Sequence, residues 1–592
     1  MFYPSCPSRP SCLSCLLVCT LAVIPSSAAH AQVIVAGGLV AQPGGQPPRD
    51  TRPTTGHAAV RGRVLSDAGQ PVRRALVRAT APETRGIRAA STDADGRYEI
   101  RDLPAGRYTI SASKPSFIAW SYGQTQPNGP PKPVVLTESQ TAENIDVRIP
   151  RGAVITGRVF DDFGDPVPNV EVMTIRRTYS QGQHRLIPIG PRTQTNDIGE
   201  YRLFGLEPGH YYVSARAQTQ NVPTFTANGV EFAGERNGYA PTFYPSSADP
   251  ASARTFTIGV GQTIAAIDIA LQPARLATIT GIALDSQGGP LSGGGVSATL
   301  RGTGTPALGL NGSVSKDGHF NLAGVPPGEY VVRVVSPRLG PDGRPSGQPE
   351  FSVALVTVNG EDVSGVTLAP IPLVTLSGRV MFDDAAAAQS LKPSSVRLNV
   401  QQFGMDDGML GAGVGAPPTV TDDFAFEIKT RPGRIGLRPF IPPVANGGTG
   451  WQLKAVRVNG VDVTDSGADV GADGARDIEI EMTNRTQKIS GTVTDTAGAS
   501  IRDFTVALFS QNRQQWTEPM GRRFAIGRPS ETGGFTVATL PPGEYFAIAL
   551  PQLDATDWQD PEKLESLSRL ATPFVLTPGD TRTLDLRLVT AP

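Results

Sequence analysis

The chain has 592 residues. That is too long for one hydrophobic core, so several domains are expected. Its formal net charge is −1, from 53 basic and 54 acidic residues, and it lacks the basic excess of a nucleic-acid binder. Its 66 glycines and 53 prolines make it turn-rich, yet short of the roughly 25–30% that marks disorder.

Residues 1–31 read as a secretory signal peptide. Arg9 supplies the positive end, Cys12 to Ile24 the apolar run, and Ala29-His30-Ala31 a small-x-small cleavage site. All four cysteines (Cys6, Cys12, Cys15 and Cys19) lie inside it. The mature chain is therefore expected to have neither disulfide nor thiolate chemistry. No later stretch offers ~18 uninterrupted apolar residues, so no membrane span is expected after cleavage. The expected location is the periplasm, cell surface or extracellular space. Residues 32–57 are a Gly/Pro-rich linker.

Five blocks follow: 58–150, 151–273, 274–372, 373–485 and 486–592. Each opens on apolar-x-Gly-x-apolar, centred on Gly62, Gly157, Gly281, Gly378 and Gly491. Strict alternation is a strand signal, and a glycine on the apolar face implies close approach by another element. Four of the five blocks then carry a Gly-aromatic turn and a Pro-Gly-Tyr turn. The fifth has Gly534-Phe535 with Leu540-Pro541-Pro542-Gly543-Glu544-Tyr545. The first has Gly96-Arg97-Tyr98 with Pro104-Ala105-Gly106-Arg107-Tyr108. The fourth is worn, with Ala425 and Ile435 at the expected glycine and tyrosine places. Opening glycines lie 95 to 124 residues apart, which matches one small domain per copy.

The first block resolves into about seven short strands separated by turn residues, the pattern of an antiparallel sandwich. Val358-Asn359-Gly360 and Val458-Asn459-Gly460 predict type I′ turns. One helix is expected, in the fifth block, with Asp560 as cap, Pro561 in the first turn, and Leu564 and Leu567 on one face.

The opening glycines and paired turns resemble the carboxypeptidase regulatory-like domain. The resemblance implies an all-β tandem array of about five seven-stranded, prealbumin-like or Ig-like sandwiches, a fold placed beside starch-binding-like carbohydrate modules. The resemblance is to a domain attached to zinc carboxypeptidases, not to the enzyme. The mature chain has only His57, His184, His210 and His319, in separate blocks and without a zinc-ligand motif. No catalytic residue, cofactor or metal ligand is expected. Asp93-Ala94-Asp95-Gly96 reads as a hairpin turn. Lys488 and Asn144, residue types used in intramolecular isopeptide bonds, fall in different blocks. Contact candidates are the aromatics of copy-specific loops: Trp120 and Tyr122 in block one, and Tyr239, Phe243 and Tyr244 in block two. Their rings can stack on sugars or plug the open edge of a sandwich. The expected protein is a non-enzymatic, rod-like exported array contacting the cell envelope. The alternative is a carbohydrate-binding module array, and the expected partners are polysaccharide or an envelope protein.

Overall fold

The computed structural model describes residues 56–81, 87–127, 129–217, 225–227, 230–232, 237–302, 309–336, 350–389, 391–404, 420–441, 450–530, 532–553 and 558–590. The chain divides into Met1–Asp50 and Thr51–Pro592, and every described residue belongs to the second unit. The expected signal peptide and all but the end of the linker lie outside the described residues.

In the first sandwich the alternating strand β1 (Ala58–Ser66) turns Val60 and Val64 fully inward. β2 (Leu76–Thr80), β3 (Arg88–Ser91), β4 (Arg97–Leu103) and β5 (Gly106–Ser113) follow. β6 (Trp120–Ser121), β7 (Val134–Leu136), β8 (Thr141–Ala142) and β9 (Val147–Ile149) complete it. One sheet places β1 between β4 and β8, with β9 also on β1; the other runs β3-β2-β5-β6, with β7 also on β5. Tyr98, Ile100, Tyr108 and Ile110 meet Val77 and Leu136 in the core between them.

The other sandwiches open on β10 (Ala153–Phe160), Ala277–Ala283, Val374–Phe382 and Lys488–Thr494. Every opening strand is antiparallel to the strand after the Gly-aromatic turn and parallel to a closing strand. The parallel pairing arises because β9 and its counterparts return by a crossover rather than a hairpin.

The opening glycine is where these strands meet. A Cβ on Gly62, Gly157, Gly281, Gly378 or Gly491 would stand 1.8–2.1 Å from a closing-segment carbonyl oxygen, that of Ile145, Ile267, Val366, Ile478 or Leu584. The expected close approach is thus backbone against backbone. The same glycines pair across the sheet with Tyr98, Tyr201, Phe320, Phe426 and Phe535. In the first two sandwiches the ring extends to the closing segment. Tyr98 donates to Ile145 O and Tyr201 to Ile267 O, both at 2.6 Å.

The Pro-Gly-Tyr tyrosine has an equally local task. Tyr108, Tyr211, Tyr330 and Tyr545 each donate a hydroxyl hydrogen bond, 2.7–2.9 Å long, to the carbonyl four residues earlier. The bond fastens the strand to its own turn, and burial pushes the Tyr545 hydroxyl pKa up to about 12. Beneath the turns of sandwiches two and five lies an arginine. Arg176 donates to Pro208 O and the Tyr211 hydroxyl, and Arg523 to Pro542 O and the Tyr545 hydroxyl.

Two local expectations need correction. In sandwich four the residue matching the turn glycine is Phe424, at φ +60°, not Ala425; Phe426 then takes the aromatic place opposite Gly378. The Phe424 ring packs edge-on against Phe382, at 5.0 Å, which offsets the backbone cost. Asn459 and Gly460 have the positive φ values of a type I′ turn, joining Gln452–Val458 to Val461–Asp462. At Val358-Asn359-Gly360 only glycine does, because Glu350–Val358 and Val363–Leu368 belong to different sheets. The helix Pro561–Ser568 forms as expected, with Asp560 accepting from Glu562 N at 3.0 Å and Leu564 and Leu567 buried. A second short helix, Ala385–Ala388, follows a cap at Asp384.

The sandwiches do not contact only their sequence neighbours. Thr125 of the first donates to Asp503 of the fifth at 2.6 Å. In the second, the hairpin of β11 (Glu171–Ser180) and β12 (Gln183–Gln194) brings His184 within 3.8 Å of Asp560 and Arg177 within 4.0 Å of Glu562. These contacts replace the expected in-line rod, because a rod joins each domain only to its neighbours.

Candidate functional site

The five candidate aromatics do not converge. Trp120 is buried in the first sandwich core, and its indole N–H donates to Gln124 O at 2.8 Å. Tyr122 packs half-buried against the same core. Phe243 is buried beneath the β11–β12 hairpin with Met173, Ile175 and Leu186. Tyr244 is half-buried, edge-on to Phe256 at 6.0 Å. Trp120 and Phe243 are therefore not exposed loop faces: each pairs with its hairpin strand at the sheet edge, which draws the ring into the core.

Tyr239 differs from the other four. It lies in the strand Asn237–Ala240, which pairs with Gln272–Arg275 at the exit of the second sandwich. Its hydroxyl donates to Asp162 Oδ1 at 2.9 Å. Partial burial, with Asp162 as acceptor, holds the phenol pKa up at about 12. Asp162 belongs to the turn 161–165, which forms one wall of a shallow groove. Phe160 and Phe163 line it together with Leu271, Gln272 and Pro273, and Leu271 N donates to Phe160 O at 2.8 Å.

Sequence reasoning missed Phe163, which is 85% exposed. Comparing the copies marks its position as unusual, though not its exposure. The residue before the positive-φ glycine of this turn is Ala68, Phe163, Gln287 and Ala497 in sandwiches one, two, three and five. Also missed was the charged seam between sandwiches four and five. Arg522 grips Asp465 through Nε at 2.8 Å and Nη2 at 3.3 Å. Arg438 donates to Thr464 O and Met520 O, and burial with Arg522 nearby pulls its pKa down to about 10. Both arginines are occupied in joining domains.

Among the described residues no group of three or more His, Cys, Asp or Glu side chains could hold a metal ion. Asp93 accepts from Asp95 N and Arg97 N, as a turn residue does. No described helix is long and apolar enough to cross a membrane.

The architecture is a tandem array of all-β sandwiches. Residues 59–149 and 154–272 each match the model of the carboxypeptidase regulatory-like domain, in two tandem copies. No curated protein matches the chain. Among solved structures it is similar to a Streptococcal ancillary pilin (13% identity, TM-score 0.19), with 53% of this chain and 99% of that one covered. It is also similar to GBS52, the minor pilin of Streptococcus agalactiae (12%, TM-score 0.20), covering 36% and 95%. A third is BcpA, the major pilin subunit of Bacillus cereus (10%, TM-score 0.13), covering 53% and 99%. Identities and TM-scores this low carry nothing about function.

Proposed function

We propose that this chain is a non-enzymatic, exported scaffold whose sandwich-end loops contact partners in the cell envelope. One observation carries the reading: the features that recur among the copies are consumed by backbone construction. The opening glycines admit the closing segment, the tyrosine hydroxyls fasten their own turns, and the turn aspartates cap backbone amides. The copy-specific features that reach the surface are chiefly the tip of the β11–β12 hairpin, the Tyr239 strand and the Phe163 turn. The test is fractionation of a tagged full-length chain. Association with envelope or matrix is expected, and recovery as a freely soluble hydrolase would overturn the proposal.

A carbohydrate-binding array is the second reading. It is favoured by the half-buried rings of Tyr122 and Tyr239 in segments specific to their copies. Glycan-array binding that falls in Tyr122→Ala and Tyr239→Ala variants is its expected signature. No binding by the wild type removes it.

A further inference from the structure

The groove beside Phe163 has features that folding does not require. Its turn is one of four with the same construction. In each, a strand-end residue accepts the glycine amide and donates back across the turn: Ser66, Asp161, Asp285 and Asp495. The glycines Gly69, Gly164, Gly288 and Gly498 take φ values from +74° to +89°, where a side chain is strained. None of this calls for an aromatic ring at the preceding position, and Ala68, Gln287 and Ala497 serve elsewhere. In sandwich two the position holds Phe163, largely in solvent.

Its surroundings are acidic. Asp161, Asp162 and Asp165 lie within two residues of the ring, and no residue lining the groove is basic. Asp161 is committed to the turn, accepting from Phe163 N at 3.0 Å and Asp165 N at 2.8 Å. Asp162 is exposed, and the Tyr239 hydroxyl steadies it from the copy-specific strand. Pro273, which is exposed, supplies apolar surface to the same groove, while Leu271 is buried in the sandwich core beneath it.

We propose that this groove binds an arginine or lysine side chain from an extended segment of a partner protein. An aromatic face attracts a cation, and carboxylates beside it add charge complementarity. The apolar wall suits the methylene stem that such a side chain lays down. Arginine is the better fit, because its planar guanidinium both stacks on a ring and pairs with a carboxylate. The proposal rests on the scaffold reading and names one class of partner for it.

The experiment titrates full-length protein with a tetra-arginine peptide, by calorimetry at low and moderate salt, with a neutral tetrasaccharide in parallel. Peptide binding should weaken as salt rises. Phe163→Ala should weaken it about threefold, and Phe163→Trp should restore it. Asp162→Asn should weaken it about threefold while keeping an acceptor for Tyr239. Because the ring and this carboxylate lie in solvent, unchanged thermal unfolding of each variant separates lost binding from lost fold. Peptide binding indifferent to Phe163, no peptide binding, or tetrasaccharide binding that displaces the peptide would each overturn the proposal. Envelope association by a wild-type chain that binds no peptide would sink this inference and leave the scaffold reading intact.

Discussion

At the residue scale the glycine at the centre of each opening strand is a steric requirement. A methyl group on Gly491 would overlap Leu584 O at 1.8 Å, and both partners are backbone. Gly491→Ala should cost more than about 3 kcal/mol, the upper part of the overpacking range, in chemical denaturation. Gly471→Ala, where a Cβ meets nothing within 4 Å, is the control and should be nearly neutral. Tyr545→Phe removes the hydroxyl that bonds Pro541 O and should cost about 1 kcal/mol. The Arg101 guanidinium, followed by that of Arg61, holds the Glu99 carboxyl down at about 2. A depressed acid stabilises the fold above its unfolded value near 4.5, and that contribution is lost as pH falls toward 2. An NMR titration should find Glu99 ionised below pH 4 and shifted upward in Arg101→Ala.

At the element scale, alternation and turn chemistry do most of the specification. β1 and its counterparts bury one side of an x-Gly-x strand, where the closing-segment carbonyl fills the place of the missing Cβ and an aromatic residue pairs across the sheet. The helix Pro561–Ser568 is a local decision of the same kind, set by Asp560, Pro561 and two leucines. Asp560→Ala should destabilise sandwich five by about 1 kcal/mol, read by thermal unfolding. Its carboxylate also stands 3.8 Å from His184, so the same variant should loosen the β11–β12 hairpin. Faster amide exchange at residues 177–186 would show it.

At the scale of the molecule, the fifth sandwich is the meeting point. It touches the first through Thr125 and Asp503, the second through the β11–β12 hairpin, and the fourth through Arg522 and Asp465. The expected mature chain carries no cysteine, so a designed pair reports cleanly on this arrangement. Thr125→Cys with Asp503→Cys should form an intramolecular disulfide under mild oxidation, seen as a reduction-sensitive gel shift. A pair that never closes would restore the in-line rod.

The all-β class, the five-fold repeat, the close approach at the opening glycines and the capped helix were legible because each rests on spacings within a few residues. Alternation writes burial into the chain, and proline, glycine and aspartate write turns into it. Three things were decided only in three dimensions. The parallel closing strand depends on a crossover between sheets. Trp120 and Phe243 go inward because their short strands pair with the hairpin strand, which their place in a loop does not reveal. Phe163 stays outside because its turn projects from the sandwich, and an apolar residue in sequence looks the same whether it is core or contact. The sequence by itself determined what each sandwich is made of, through local backbone chemistry. Which surfaces face one another and which face a partner was left to contacts between residues hundreds of positions apart.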